Sequence, residues 1–456
     1  MIWNEAMECM PRLEMEKLQG QRLRQTVARV YERVPFYRQA FDAAGVVPAT
    51  VETAADLPRL PFTRKSALRD HYPFGLFAVP SNEVVRIHAS TGTTGKPTVV
   101  GYTRTDLQTW AELCARSLAL AGAVPGQVFQ NAYGYGLFTG GLGMHYGGEA
   151  MGLIVIPASV GQTARQILLL QDFGSQILAC TPSYALALAD ALNERNIDRK
   201  ALALRSVILG AEPWTEEMRA EIQARLNVVA VDIYGLSEIM GPGVACECAE
   251  GRCGAHVFED HFIVEVVDPD SEEVLPEATE GELVFTTLTK EALPLIRYRT
   301  GDIASIRRER CPCGRALARM SRIVGRTDDM LIIRGVNVFP SQIEAALLGV
   351  EELAPHHQLI VTRDGRLDEV EVRAEVTREF SQRVGEDLFD ESKHAVCPPL
   401  EVLKTKLKDR LRESLGLFVC VTLLPPNGLP RSDGGKTCRV LDQRVNLKRE
   451  PAKHLL

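Results

Sequence analysis

The stretch His88-Ala89-Ser90-Thr91-Gly92-Thr93-Thr94-Gly95-Lys96-Pro97 sets glycines among hydroxyl side chains and closes on a lysine. Glycines let backbone N–H groups converge, hydroxyls donate, and an ammonium offsets negative charge, so the stretch suits a loop wrapped round phosphate oxygens. A Walker A loop would run G-x-x-x-x-G-K-[ST] from a strand into a helix. Here Gly92 and Gly95 stand too close together, and Lys96 is followed by Pro97 and a second strand candidate, Thr98 to Tyr102. The element is strand–loop–strand, more mobile than a loop that caps a helix. An ordinary Gly/Thr hairpin is the competing reading of the stretch taken alone.

Outward from this loop the pattern alternates. Val84 to Ile87, Val128 to Gln130, Leu153 to Ile156, Ser206 to Leu209 and Val228 to Val231 are short apolar runs of strand length. Between them Asp106 to Ala121, Ala164 to Phe173, Ser183 to Asn193 and Glu216 to Leu226 have helical length and spacing, as does Met15 to Val34 before the loop. Such alternation implies an α/β body with a mainly parallel sheet. Phe262 to Val267 and Gly281 to Thr287 are expected to be antiparallel. After Arg326 the texture changes: a strand at Leu331 to Ile333, a loop at Gly335 to Asn337, then a helix Gln342 to Leu348 with Ser341 and Glu344 as capping box. Strands Gln358 to Thr362 and Val370 to Val376 flank Asp364-Gly365 as a hairpin. A basic helix from Leu400 to Leu415 stops at Gly416, and Phe418 to Leu424 is the last strand expected. The expectation is a large N-terminal domain of several subdomains, 1–327, and a small mobile α+β C-terminal domain, 328–456.

The 456 residues exceed what one core usually supports. A formal net charge of -7 argues against a nucleic-acid partner, which needs a basic face. No apolar run reaches the roughly 20 residues of a membrane span, and the start lacks a signal-peptide pattern. Eleven cysteines, an odd number, suit a reducing cytoplasm. Those at Cys246, Cys248, Cys253, Cys311 and Cys313 crowd together with His256. Soft ligands in Cys-x-Cys and Cys-Pro-Cys-Gly turns suit a closed tetrahedral structural Zn²⁺ site, with reduced unligated thiols as the alternative. Tyr133 to Gly141 mixes glycines with Tyr133, Tyr135 and Phe138, which leaves flat space lined by aromatic faces for a planar acid; core packing is the competing reading.

Ser90 to Lys96 resembles the signature loop of the adenylate-forming superfamily. Asn131 to Gly141, Gly210-Ala211-Glu212-Pro213-Trp214, Tyr234-Gly235-Leu236-Ser237-Glu238, Glu259-Asp260-His261-Phe262 and Leu331 to Pro340 are similar to phenylacetate–CoA ligases, in family order from Tyr31 to Arg444. A carboxylate acylates no thiol at neutral pH, because oxide would have to leave; a mixed anhydride with AMP makes the leaving group a phosphate ester. The resemblance therefore implies ligation of an arylacetate to coenzyme A by ATP, in aromatic acid catabolism. Acyl transfer to a carrier protein or an amine is the alternative, and a non-catalytic adenylate-fold protein a third reading.

By the same resemblance, Ser90, Thr91, Gly92, Thr93, Thr94, Gly95 and Lys96 hold phosphates, Glu238 ligates Mg²⁺, and Glu212, Pro213, Asp232, Tyr234, Gly235 and Ser237 surround the nucleotide. Asp302 and Arg326 take the ribose, Gly210 and Ala211 border the acid, and Lys436 stabilises adenylation. An additional residue precedes that lysine relative to the usual family form. Asp328 is the implied hinge, and Arg334 and Gly335 the implied CoA contacts. Relatives also carry Cys at the place of Cys248, His at that of His256 and the Cys311–Cys313 turn, so these four are the expected zinc ligands, with Cys246 or Cys253 as substitutes. A homodimer is implied by the resemblance alone.

Overall fold

The structure is a computed structural model, and it describes residues 1–90, 97–327, 331–333, 336–338, 340–364, 367–385, 397–430 and 439–443. Its contacts group into two compact units. The first takes in Met1–Glu212 and Ile222–Thr327; the second takes in Pro213–Glu221 and most of the chain after Thr327.

In the first unit, helices α1 (Glu5–Glu8), α2 (Arg12–Arg33), α3 (Pro35–Ala43) and α4 (Lys65–Asp70) precede the hairpin β1 (Arg86–Ser90) and β2 (Thr98–Tyr102). The strand–loop–strand expectation holds: β1 and β2 are antiparallel, with Ser90 opposite Thr98. Strand β1 begins later than the apolar run Val84 to Ile87 suggests, because Arg86 and His88 join the ladder despite their polarity. Helix α5 (Arg104–Leu120) starts ahead of the expected Asp106, since Asp106 is the third helical residue of a capping box whose N-cap is Thr103.

The main sheet is nine-stranded. Strands β3 (Val128–Asn131), β4 (Ile154–Ile156), β5 (Ile177–Cys180), β6 (Ser206–Gly210) and β7 (Val229–Leu236) are parallel, in the order β7-β6-β5-β3-β4. Helices α6 (Thr139–Met151), α7 (Thr163–Asp172), α8 (Pro182–Glu194) and α9 (Glu216–Leu226) connect them. Every residue of β5 and β6 is buried. Strands covered on both faces read as unbroken apolar runs, which is why β5, only four residues long, gives no alternating signal. The sheet continues antiparallel through β8 (Gly241–Cys246) and β9 (Ala255–Val257). A second, antiparallel sheet runs β10 (Phe262–Val267), β11 (Gly281–Thr287), β12 (Tyr298–Ala304), with β13 (Ile306–Arg307) and β14 (Arg319–Met320) returning to the main sheet and β15 (Gly325–Arg326) completing the second. One continuous core lies beneath, from Met15 and Trp110 to Phe285 and Met320.

The second unit has its own core. Strands β16 (Leu331–Ile333) and β17 (Val336–Val338) form a hairpin, so the expected loop at Gly335 to Asn337 is in part a strand. Helix α10 (Pro340–Leu348) begins before Ser341, which corrects the capping-box start; proline fits a first helical turn because its missing N–H would be unpaired there. Strands β18 (Leu353–Asp364) and β19 (Leu367–Val376) pair antiparallel as expected, and helix α11 (Arg378–Val384) follows. Helix α12 (Pro398–Leu415) buries Leu400, Leu403, Leu407, Leu411 and Leu415 along one stripe and ends on Gly416 at φ 67°. Its cations meet acids of the same unit, Lys404 with Glu401 at 3.3 Å and Lys406 with Glu352 at 3.1 Å. Strand β20 (Cys420–Leu424) is not the last: β21 (Val440–Asp442) pairs parallel with β18. Among the described residues no helix is long and apolar enough to cross a membrane.

Candidate functional site

Hairpin β1–β2 is fastened on two sides. Ala89 donates its N–H to the Leu137 carbonyl at 2.9 Å and His88 Nδ1 meets the same oxygen at 3.0 Å. From β2, the Tyr102 hydroxyl donates to the Met240 carbonyl at 2.9 Å. The hairpin thus joins the glycine-rich segment after β3 to the turn between β7 and β8. Thr91, Gly92, Thr93, Thr94, Gly95 and Lys96 lie outside the described residues, as do Asp328, Arg334, Gly335 and Lys436; of Ser90 only the backbone is described.

The carboxyl ends of the parallel strands carry the nucleotide candidates, the place where open α/β sheets bind ligands. Gly210 closes β6, where a Cβ would lie 2.4 Å from the Ile233 carbonyl oxygen, so only glycine fits. Ala211 follows at φ 69°, a left-handed backbone that turns the chain sharply. Glu212 then accepts from the Ser183 hydroxyl at 2.9 Å, at the start of α8. Pro213 belongs to the second unit. Asp232 lies in β7, where its backbone N–H donates to Glu247 at 2.9 Å.

Tyr234, also on β7, donates its hydroxyl to Asp302 at 2.7 Å, and its ring stacks on Phe285 with centroids 6.0 Å apart. Arg326 binds the other oxygen of Asp302 and donates to the Thr300 carbonyl at 3.1 Å. The register explains this last pair, since Asp302 of β12 stands opposite Arg326 of β15. Burial, and then the Asp302 charge, push the Tyr234 phenol well above its ordinary pKa, so it stays a donor. An ionised carboxylate offers about four acceptor sites, so Asp302 is suited to hold several donors at once.

Gly235 ends the straight part of β7. A Cβ there would fall 1.9 Å from the Gly241 carbonyl oxygen, so β7 and β8 can close only over glycine. Ser237 shares a hydroxyl contact with Thr139 at 3.2 Å. Glu238 is 5% exposed, and its carboxylate faces Lys65 at 3.6 Å. Lys65 had no motif around it to mark it. Thr63 bonds the backbone of Arg297 and Arg299 beside β12, and this long-range pairing brings Lys65 to Glu238.

The acid candidates divide. Tyr133 is 6% exposed, is part of the core and lies 3.5 Å from the Ile208 carbonyl, as the packing reading had it. Tyr135 accepts from Asn131 at 3.0 Å and meets His145 at 3.2 Å. Phe138 is half-exposed before α6. The Gly141 N–H reaches the Gly134 carbonyl at 3.1 Å, an approach that leaves no room for a Cβ, 2.4 Å from that oxygen.

Glu259-Asp260-His261-Phe262 builds a buried clamp. Arg116 holds Asp260 through two parallel bonds of 2.8 and 3.0 Å, and His261 Nε2 lies 3.0 Å from the same carboxylate. Burial raises the Asp260 pKa, but His261 and Arg116 outweigh it and hold the carboxyl well below the usual range. Glu259 accepts the Ala318 N–H at 2.7 Å and pairs with Arg12 at 2.7 Å.

Cys248, His256, Cys311 and Cys313 place their ligand atoms within 4.8 Å of one another. Cys248 and Cys311 sulfurs are 3.6 Å apart and Cys313 lies 3.5 Å from His256 Nε2. Two sulfurs on one tetrahedral zinc, each bonded at ~2.3 Å, stand about 3.8 Å apart, so this donor set fits the ion. Of the two substitutes, Cys246 turns to the Ser117 carbonyl at 3.7 Å and Cys253 is bound by Arg319. Hydrogen bonding from Cys248, then His256, lowers the pKa of Cys313. Arg315, two residues on, forms a buried pair with Glu8 of α1.

Two family descriptions match the chain: AMP-binding enzyme over 24–288 and AMP-binding enzyme C-terminal domain over 335–444. A phenylacetate-coenzyme A ligase of Thermus thermophilus is 54% identical over 444 residues, covering 97% of this chain and 100% of that one. One of Escherichia coli is 50% identical over 434 residues, covering 94% and 95%. A crystal structure of 2-hydroxyisobutyryl-CoA ligase with 2-HIB-AMP in the postadenylation state superposes with a TM-score of 0.87 at 28% identity, covering 97% of this chain and 92% of that one. The same ligase with 2-HIB-AMP and CoA in the thioesterification state gives 0.70 at 29% identity, covering 97% and 94%.

Proposed function

The chain belongs to the phenylacetate–CoA ligase family of AMP-binding enzymes, and from that membership we infer that its acid is an arylacetate. The reaction is ATP-dependent ligation of a carboxylic acid to coenzyme A through an acyl-adenylate. The observation that carries the site reading is the convergence of Tyr234 and Arg326 on the Asp302 carboxylate, at the sheet end where Glu238 follows β7.

In this reading Asp302, oriented from both sides, accepts the two ribose hydroxyls. Arg326 adds positive charge toward the α-phosphate, and the face of Tyr234 with Glu212 and Pro213 borders the adenine. Gly235 and Ser237 line the turn beside it, with Asp232 beneath. Glu238, with hard oxygen donors in a largely dry position, would hold Mg²⁺, which supplies charge neutralisation on the phosphates when bound. Ser90 and Thr91 to Lys96 wrap the β- and γ-phosphates, and Lys436 neutralises charge as the acid oxygen attacks the α-phosphorus. Arg334 and Gly335 meet CoA after a change of arrangement hinged at Asp328. Gly210, Ala211, Tyr135 and Phe138 border the acid, with Tyr133 fixing the wall behind. The cysteine cluster holds a structural zinc, and the enzyme works in the cytoplasm as a homodimer.

A panel of arylacetates and short-chain acids, assayed for AMP formation with and without CoA, tests this. Phenylacetate-like acids should give CoA-dependent AMP with kcat/KM at least tenfold above ring-free acids. Preference for a short aliphatic acid would overturn the arylacetate assignment while leaving the ligase chemistry standing.

A further inference from the structure

His88 lies in β1, two residues before Ser90, and is 1% exposed. Burial pushes its pKa below the ordinary imidazole value, so the ring is neutral and carries a single N–H. That N–H is on Nδ1, because the Leu137 carbonyl 3.0 Å away can only accept. Nε2 is buried and has no hydrogen-bond partner among the described residues. The ring stands edge-on to Tyr102 and Trp110, with centroids 5.6 and 5.5 Å away. Trp110 in turn stacks on Tyr102 at 4.9 Å, and the Lys290 ammonium lies 3.7 Å from the Tyr102 centroid. Phenylalanine would suit such aromatic surroundings without leaving a polar atom dry. What histidine adds is the donor at Nδ1.

The Leu137 carbonyl takes two donors from β1, the Ala89 N–H at 2.9 Å and His88 Nδ1. The first bond is made by backbone whatever residue stands at 88; the second depends on the histidine. The accepting oxygen belongs to the same planar peptide unit as the Phe138 N–H, and Phe138 is the N-cap of α6. Displacing Phe138 therefore turns the acceptor of both bonds. Leu137 and Phe138 are exposed, so side-chain packing does little to hold this peptide in place. Behind His88 there is no give. Trp110 packs against Gly143 of α6 and Gly241 of β8, where a Cβ would fall 2.5 Å from its ring. Movement of the Leu137 peptide is thus passed into β1.

We propose that His88 is a positioning residue that couples the two substrates of adenylation. Through its bond to Leu137, filling of the acid site fixes the strand that leads into the phosphate loop, and ATP tightens the acid in return. The inference rests on the reading of Phe138 as a border of the acid site and of the segment after Ser90 as the phosphate loop. Reciprocity is required, because the coupling between two bound ligands is one free energy shared by both. The consequence is that the nucleotide is held tightly only when an acid is present to be adenylated.

Isothermal titration of the full chain with Mg²⁺ and adenosine 5′-(α,β-methylene)triphosphate, which cannot release pyrophosphate, measures the coupling. The Kd is taken without acid and with a saturating acid, the one giving the highest kcat/KM in the panel above. In the wild type the acid should tighten the nucleotide about tenfold. His88→Phe keeps an aromatic ring and lacks the donor. Each ligand alone should bind it within about twofold of wild type, while the coupling falls to near unity. His88→Asn, whose amide nitrogen can stand in for Nδ1, should keep a coupling of at least about fivefold. A wild-type factor near unity overturns the inference without any variant. So does the full factor kept in His88→Phe, even with both affinities weakened, because a merely structural role would give that result. Phe138→Ala separates the two levels: an unchanged Kd for the acid there defeats the acid-border reading. A weakened acid in Phe138→Ala beside an uncoupled wild type defeats the His88 inference alone.

Discussion

Asp260 shows how much one buried charge depends on its partners. The carboxylate is 1% exposed and survives because Arg116 and His261 meet it directly. Removing one partner of such a pair typically costs about 3–5 kcal/mol, since the other charge is left dry and unmatched. Arg116→Met should therefore lower stability by that order in chemical denaturation. The pH dependence follows from the depressed folded-state pKa of Asp260. Its contribution is present above the ordinary carboxylate range and is lost as pH falls below it, toward the folded value. Melting temperature should drop more steeply below about pH 4 in the wild type than in Asp260→Asn; parallel curves would contradict this account. Lys290 has the opposite sign. With a folded value of about 8 against an ordinary 10.5, its charged form destabilises the fold by roughly 3 kcal/mol at neutral pH, relieved as pH rises through 8 to 10.5.

Elements meet here through glycine. Strands β7 and β8 close where Gly235 faces the Gly241 carbonyl with no room for a methyl. Gly235→Ala must push the two strands apart, and the Glu238 turn lies between them. The expected result is about 1–3 kcal/mol of lost stability together with loss of acid-dependent pyrophosphate release. Normal exchange activity in a fully folded Gly235→Ala protein would contradict the role given to this turn. Most elements were legible because their signals are local. The Gly416 stop of α12 and the strand–loop–strand character of the hairpin follow from backbone rules over a few residues. Strands β5 and β21 were not, since each is short and held by neighbours distant in the chain, and β17 was not because it is only three residues long, paired across a tight hairpin with β16.

At the scale of the molecule, the cysteine cluster lies where the N-terminus meets the turn between β13 and β14, at the edge of the main sheet. Arg315 bonds Glu8 and the Met1 carbonyl, and Ala316 donates to the Glu8 carbonyl at 2.9 Å. Purified protein should hold about one zinc per chain, in keeping with a closed four-ligand site. Removing it should lower the melting temperature by several degrees and expose α1 to protease, because the turn bearing Arg315 loses its fixed shape. Less than a tenth of an equivalent of zinc in the native protein would sink the metal assignment.

By itself the sequence determined the alternating α/β body, the strand–loop–strand element that is no Walker A loop, the identity of the motif residues and the family to which they belong. Each of these depends on residue type, spacing or order along the chain, and none needs a distant neighbour. Only the tertiary structure decided that Lys65 meets Glu238, that Lys290 lies on Tyr102 and that Glu259 to Phe262 forms a buried clamp. Cys248 and Cys311, 63 positions apart, likewise come together only when β8 and the turn before β14 are in place. Such contacts are set by which elements pack together, and packing minimises buried, unmatched charge and exposed apolar surface over the whole chain at once.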